Sequence, residues 1–207
     1  MSTAAPLALS RERILRCAVQ VADREGLDAA SLRKVASELG VHVTSLYNHL
    51  PTKEALLDGV VEELFAEADL PMGGLPWDEW VRRFVTAIAT MAREHPGAFA
   101  VLLRRPAQGS RAAETFEAGL AAFHRAGLDV TESYAAVKAV ALGVLGCCAE
   151  QATLAMGEVP TTDLAGLSRR EFPTLHAARG VAGKVDVVAA LSDVLVGGLA
   201  LRLTRVP

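Results

Sequence analysis

The sequence predicts an all-α protein, with an N-terminal three-helix unit built on a helix-turn-helix and a larger helical region behind it. Three observations predict this. Apolar residues recur at helical spacing along nearly the whole chain, and no run alternates apolar with polar residues as a half-buried strand would. Ser, Thr or Asp stands at the head of several helical stretches, and glycine closes others.

The elements follow in order. Ser10 caps a first helix whose inner face is Ile14, Ala18, Val21 and Ala22, with Gly26 where a helix C-terminal glycine belongs. Ser31 caps a second, with Val35, Ala36 and Leu39 inward and Gly40 ending it. About two residues later helical spacing resumes, and so tight a glycine joint makes the pair a helix-turn-helix. The third helix runs over residues 43–50. Leu46 and Leu50, four apart, face the core, which turns Thr44, Ser45, Tyr47, Asn48 and His49 toward solvent. Pro51 ends it, Thr52 caps the next, and Lys53 lies on that helix's exposed first turn.

Leu56, Leu57, Val60, Val61, Leu64 and Phe65 then form a long helix, broken by "DLPMGGLP". A helix carrying Trp77, Trp80, Val81, Phe84, Val85, Ile88, Met91 and Ala92 comes next. Pro96 opens a short one ending near Arg105, and Ser110 caps another that reaches Gly127 and carries Phe116, Leu120 and Phe123. Asp129 and Glu132 form a capping box for the longest helix, to Met156. A broken segment holds Pro173, and a last helix spans about 184–203. The expected division is 1–54 for the helix-turn-helix unit and 55–207 for the remainder.

Composition limits the function. Lys and Arg number 21 against 24 Asp and Glu, a net charge of -3, which argues against wrapping long DNA but permits a small contact surface. Between Ser31 and Lys53, Arg33, Lys34 and Lys53 oppose only Glu38, a local +2. Cys17, Cys147 and Cys148 make no disulfide framework, so a reducing cytoplasm is expected. The N-terminus lacks the apolar core of a signal peptide, and the longest apolar run, Ala139 to Ala149, is too short to span a bilayer. A soluble chain without a membrane partner is expected. No nucleophile motif and no phosphate loop after a strand is present, so an enzyme is not expected. His42, His49, His95, His124 and His176 show no metal-ligand spacing, and neither a metal nor a cofactor is expected.

As an isolated polar helix, residues 43–50 would be read as solvated surface. Behind a tight helix-turn-helix joint, short polar tips instead suit the major groove, where Asn bonds adenine edges and Thr or Ser bonds bases or phosphates. The run from "LRKVASELGV" through "TSLYNHLPTKEALL" resembles the DNA-binding domain of the TetR family of transcriptional repressors over Ser10–Leu64. The resemblance implies phosphate and base contacts from Ser31 and Arg33, a recognition surface at Thr44, Ser45, Tyr47, Asn48 and His49, and a phosphate held by Lys53. His42 stands where the family often has a Ser or Thr cap; it is a weaker cap that can donate to a phosphate. Val43 occupies an often polar position, so base specificity does not transfer.

Farther on, "PWDEWVRRF" and "GVLGCCAEQ" look like the ligand domain of the tetracycline-repressor group in that family. This implies a small-molecule inducer pocket between the middle helices and a homodimer joined by a four-helix bundle. Trp77, Trp80, Phe84, Ile88, Met91, Phe99 and Phe123 are then either core or pocket wall, and Thr86, Thr90, His124, Glu150 and Gln151 are the polar groups that would orient a ligand. Glu150 lies where that group supports a drug-bound metal; it can equally be paired, protonated, solvated or turned to the surface. The loop "RRPAQGS" has no histidine, and Phe84 and Ile88 replace polar drug contacts, so tetracycline itself is not expected. Gly143, Gly146, Gly197 and Gly198 suggest close helix approach across the dimer. Adjacent Cys147 and Cys148 are read as core rather than as a thiol sensor. The expected protein is a ligand-responsive regulator binding a palindromic operator as a homodimer; the alternative is a helical binding or interaction protein without sequence-specific DNA binding.

Overall fold

A computed structural model describes residues 8–157, 168–179 and 184–204, with no strand among them. The helices are α1 Arg11–Glu25, α2 Leu32–Leu39, α3 Val43–Tyr47, α4 Lys53–Glu67, α5 Trp77–Glu94, α6 Pro96–Leu102, α7 Gly109–Arg125, α8 Val130–Ala155, α9 Pro173–Arg179 and α10 Val187–Leu203. A 3-10 turn, Leu27–Ala29, joins α1 to α2 and was not anticipated by the apolar spacing.

The caps explain most boundaries. The Ser10 hydroxyl accepts the Arg13 N–H at 3.2 Å, Ser31 that of Lys34 at 3.3 Å, and Thr52 that of Ala55 at 3.0 Å. At α8, Asp129 accepts from the Glu132 N–H at 2.8 Å while Glu132 accepts from the Asp129 N–H at 3.4 Å, a complete capping box. Three expected boundaries differ. α7 starts at Gly109, whose φ of +87° turns the chain, so Ser110 falls inside the first turn and caps nothing. α10 starts at Val187 rather than near Lys184, because the Asp186 carboxylate takes the Ala189 N–H at 2.9 Å. α6 ends at Leu102, and the Arg105 side chain reaches Asp58 on α4 at 2.6 Å.

One apolar core runs from α1 through α8 and takes in Leu199 of α10. α4 packs along α1: Arg11 meets Glu62 at 2.7 Å and Arg16 meets Glu63 at 3.3 Å, and a Cβ on Gly59 would stand 2.4 Å from Leu15 Cδ2. Burial, and then the neighbouring Glu67 charge, raises the Glu63 carboxyl above its ordinary range. The start of α6 lies directly on the α1 backbone. A Cβ on Gly97 would come within 2.0 Å of the Ala22 carbonyl oxygen, so only glycine permits the approach.

The outer faces of α8 and α10 are apolar and uncovered. Leu142 on α8 is 60% exposed, and Val194 and Leu201 on α10 are 72% and 63% exposed. Added Cβ atoms at Gly146, Gly197 and Gly198 would meet nothing, whereas one at Gly143 would touch Leu191 and Leu195 of α10 in the same chain. Gly143 therefore faces α10 of its own chain, where a Cβ would sit at ordinary contact distance, 3.8 Å from Leu191 and 3.9 Å from Leu195. The expectation that no stretch could span a bilayer needs correction too: the 26-residue α8 contains a window of mean hydropathy 1.4, long and apolar enough by length and composition. That window is partly buried against the rest of the chain, as in a core helix.

Candidate nucleic-acid interface and ligand cavities

Gly40, in the left-handed region at φ +66°, turns the chain between α2 and α3, and the Val41 N–H closes on the Ala36 carbonyl at 3.0 Å. α3 is shorter than expected, five residues instead of eight. Its last turn loosens because Leu50 precedes Pro51, which disfavours helical backbone at that residue. The Leu50 N–H still reaches the Leu46 carbonyl at 2.8 Å, so both leucines are buried as expected. Anchored there, α3 presents Thr44, Tyr47, Asn48 and His49 to solvent, with Ser45 and Val43 half-buried. His42 sits at the N-cap without a side-chain capping bond, which leaves its ring available.

The electrostatics refine the local charge. Lys34 is held by Glu25 at 2.8 Å and Glu38 at 3.3 Å; Arg24 shares both carboxylates. These hydrogen bonds raise the Lys34 pKa, Glu25 first, and lower that of Glu25, Lys34 first. Lys34 is therefore committed within the unit. Arg33 and Lys53 are exposed and form no ion pair among the described residues, and Ser31 spends its hydroxyl on the cap.

A polar joint connects this unit to the rest. Asp23 of α1 accepts the Ala98 N–H of α6 at 2.9 Å through Oδ1, and its Oδ2 lies 2.7 Å from His95 Nδ1. The other face of the same ring, Nε2, lies 3.4 Å from Glu67 Oε2 at the end of α4.

The residues expected to line a ligand space divide differently. Trp80, Phe84, Ile88 and Phe123 are buried and line neither of two cavities found beside α5. They are a filled aromatic row: Trp80 stacks on Phe84 at 5.0 Å between centroids and meets Phe123 edge-on at 6.3 Å. Gly119 admits the indole so closely that a Cβ there would stand 2.5 Å from it. Trp80 Nε1 in this row, and Ser133 Oγ on α8, are buried without a hydrogen-bond partner among the described residues. Glu150 and His124 are exposed and line neither cavity; of the open alternatives for Glu150, the surface is where it lies.

The first cavity, about 830 Å³, lies between the end of α4, the 69–75 loop and α5, and Met91, Thr86 and Thr90 line it. The second, about 540 Å³, lies between α5 and α10 and takes in Gln151, with Thr86 and Thr90 shared. Sequence reasoning missed Glu67, Asp69, Arg82, Arg83 and His95 as cavity residues. The break "DLPMGGLP" held the signal: a loop mixing Asp, Met and Leu packs back on a helix.

The cysteines are free thiols. Cys148 is fully buried, and that burial, with Cys147 beside it, pushes its thiol up to about 11. Such a thiol is unreactive at neutral pH. Among the described residues no group of His, Cys, Asp and Glu could hold a metal ion.

The family model described as "Bacterial regulatory proteins, tetR family" matches residues 14–60. An HTH-type transcriptional regulator of Saccharopolyspora erythraea is 34% identical over 67% of this chain and 59% of its own length. The HTH-type transcriptional repressor DrrR1 of Streptomyces coeruleorubidus is 31% identical over 89% of this chain and 69% of its own. The chain thus spans about three fifths and about two thirds of these relatives' lengths. Apo ActR from Streptomyces coelicolor has the same fold, with a TM-score of 0.79 at 23% identity over 99% of this chain and 100% of that one, and it has also been solved with actinorhodin bound.

Proposed function

This chain belongs to the TetR family of bacterial regulatory proteins, and on that premise we propose that it is a transcriptional repressor that binds a palindromic operator as a homodimer and is released by a small-molecule inducer. Residues 1–54 read DNA and 55–207 bind the ligand and dimerise. It works in the cytoplasm and performs no catalysis.

The observation that carries this reading is α3, whose buried Leu46 and Leu50 hold a row of short polar tips outward. Tyr47, Asn48 and Thr44 supply base-edge contacts in the major groove, while Arg33, Lys53, His42, Ser45 and His49 reach bases or phosphates at its edges. One such short helix covers few base pairs. Two copies on a two-fold axis supply the missing specificity, and the uncovered apolar faces of α8 and α10 suit a second copy. Ligand release draws support from ActR, a protein of the same fold solved with actinorhodin.

Selection of bound sequences from a random duplex pool tests it. A palindrome enriched in proportion to salt-sensitive binding is the expected result. Enrichment of no sequence would leave a helical interaction module instead.

A further inference from the structure

The first turn of α2 carries two cations that the fold treats oppositely. Arg33 lies with Ser37 and Gly40 on the outward stripe of the helix, exposed and without an ion pair among the described residues. Lys34, the next residue, is turned about 100° from it. Its Nζ meets Glu25 Oε1, at the end of α1, at 2.8 Å and Glu38 Oε1 of α2 at 3.3 Å. Arg24 Nη2 meets the same two oxygens, at 3.0 Å and 2.8 Å. The four groups close a ring of alternating charge, with one cation and one carboxylate from each helix and no net charge. The ring is not what seats α2. Buried Leu32, Val35 and Ala36 do that, and Ser31 caps the helix. All four side chains of the ring remain a third to a half exposed, where a single ion pair adds little to stability.

We infer that Glu25 and Glu38 limit the phosphate contacts of the reader: they hold Lys34 and Arg24 in a neutral ring, so that of the three cations Arg24, Arg33 and Lys34 only Arg33 engages the DNA backbone. This rests on the reading of α2 and α3 as the DNA-binding unit. A lysine ammonium on a flexible four-carbon stem in the first turn of α2 can swing either to the phosphates that Arg33 reaches or back to α1. The ring holds it back. Handing Lys34 to a phosphate breaks two contacts at once and leaves two carboxylates facing one arginine, a net negative charge beside a polyanion. Attraction to the DNA backbone is independent of sequence and comes from the counterions that a protein's cations displace, so a neutral ring displaces none. With fewer backbone contacts, a larger share of the binding comes from the base edges that α3 meets. Glu25 and Glu38 thereby act on DNA selection without touching DNA.

The test measures the affinity of the full chain for a short random-sequence duplex across a salt series, with thermal melting as the check on folding. Glu25→Gln combined with Glu38→Gln should tighten binding at low salt and steepen the dependence of log affinity on log salt by about 1 to 2, one for each cation released. Glu38→Gln alone, which leaves Glu25 as a partner for both cations, should give the smaller part of that gain. Adding Lys34→Gln to the double variant should take back about 1 of the slope. Melting should be unchanged, because buried residues seat α2. An unchanged slope in the double variant would overturn the proposal. So would a gain that survives Lys34→Gln, since the carboxylates would then act only by repelling DNA, and so would loss of the fold in the double variant, which would make the ring a structural tie. Failure of the underlying reading looks different: wild type and variants alike would then bind the duplex at no salt concentration.

Discussion

The short helix α3 and the long helices α8 and α10 all turn a face to solvent, and the chemistry of those faces is opposite. α3 shows hydroxyl, amide, phenol and imidazole tips over two buried leucines, while α8 and α10 show Leu142, Val194 and Leu201 beside open glycines. Polar tips on a rigid support can exchange water for base edges, one hydrogen bond for another. Exposed valine and leucine gain nothing from water and are covered only by another apolar surface. Under the proposed function, the same exposure serves a nucleic-acid surface in one region and a protein surface in the other. The aromatic row of α5 and α7 is the third case: apolar, but already covered by its own chain.

The comparison can be attacked at each of these places. Phe123→Ala removes a ring from the filled row, and a loss of about 3 to 5 kcal/mol in denaturant unfolding is expected. A loss well under 1 kcal/mol would mean the row is an open pocket wall after all. Gly198→Leu adds a side chain where the single chain offers open space, so the subunit fold should persist while a tightly packed dimer loses about 1 to 3 kcal/mol of association. Light scattering distinguishes the two; an unchanged dimer would place the interface elsewhere. Tyr47→Ala and Asn48→Ala, both exposed, should each cost about 1 to 3 kcal/mol of operator discrimination with melting unchanged. Wild-type affinity in both would remove α3 from the reader. The smallest effect is expected for Glu150→Gln: an exposed carboxylate lining no cavity should change stability by less than about 0.5 kcal/mol and leave the inducer dose unaltered.

The helical class, the caps at Ser10, Ser31, Thr52 and Asp129, and the pairing of Leu46 with Leu50 were legible before any coordinates, because each depends on residues within one or two turns of each other. The outward placement of Thr44, Tyr47, Asn48 and His49 followed from the same local periodicity, whereas Ser45, expected outward with them, lies half-buried. The ligand space did not. Trp80, Phe84 and Phe123 have the composition of a pocket wall, and nothing within α5 reveals that Gly119 on α7 lets the indole close the gap. The sequence leaves Glu150 open between a pair, a neutral carboxyl, a cavity and the surface, because its direction depends on which face of α8 meets α5, and it lies at the surface.

By itself, then, the sequence determined the order and type of the helices, the turn at Gly40, the helix-turn-helix joint and the polar identity of the surface that follows it. Tertiary structure alone decided that His95 stands between Asp23 and Glu67, residues 72 and 28 positions away, that Lys34 is drawn into ion pairs while Arg33 and Lys53 form none among the described residues, and that the cavity lies beneath the 69–75 loop. The reason is range. Capping and amphipathic spacing act through hydrogen bonds and side-chain directions fixed within a few residues, whereas charge pairing and cavity shape depend on which helices are brought together, and that is set by the whole core at once.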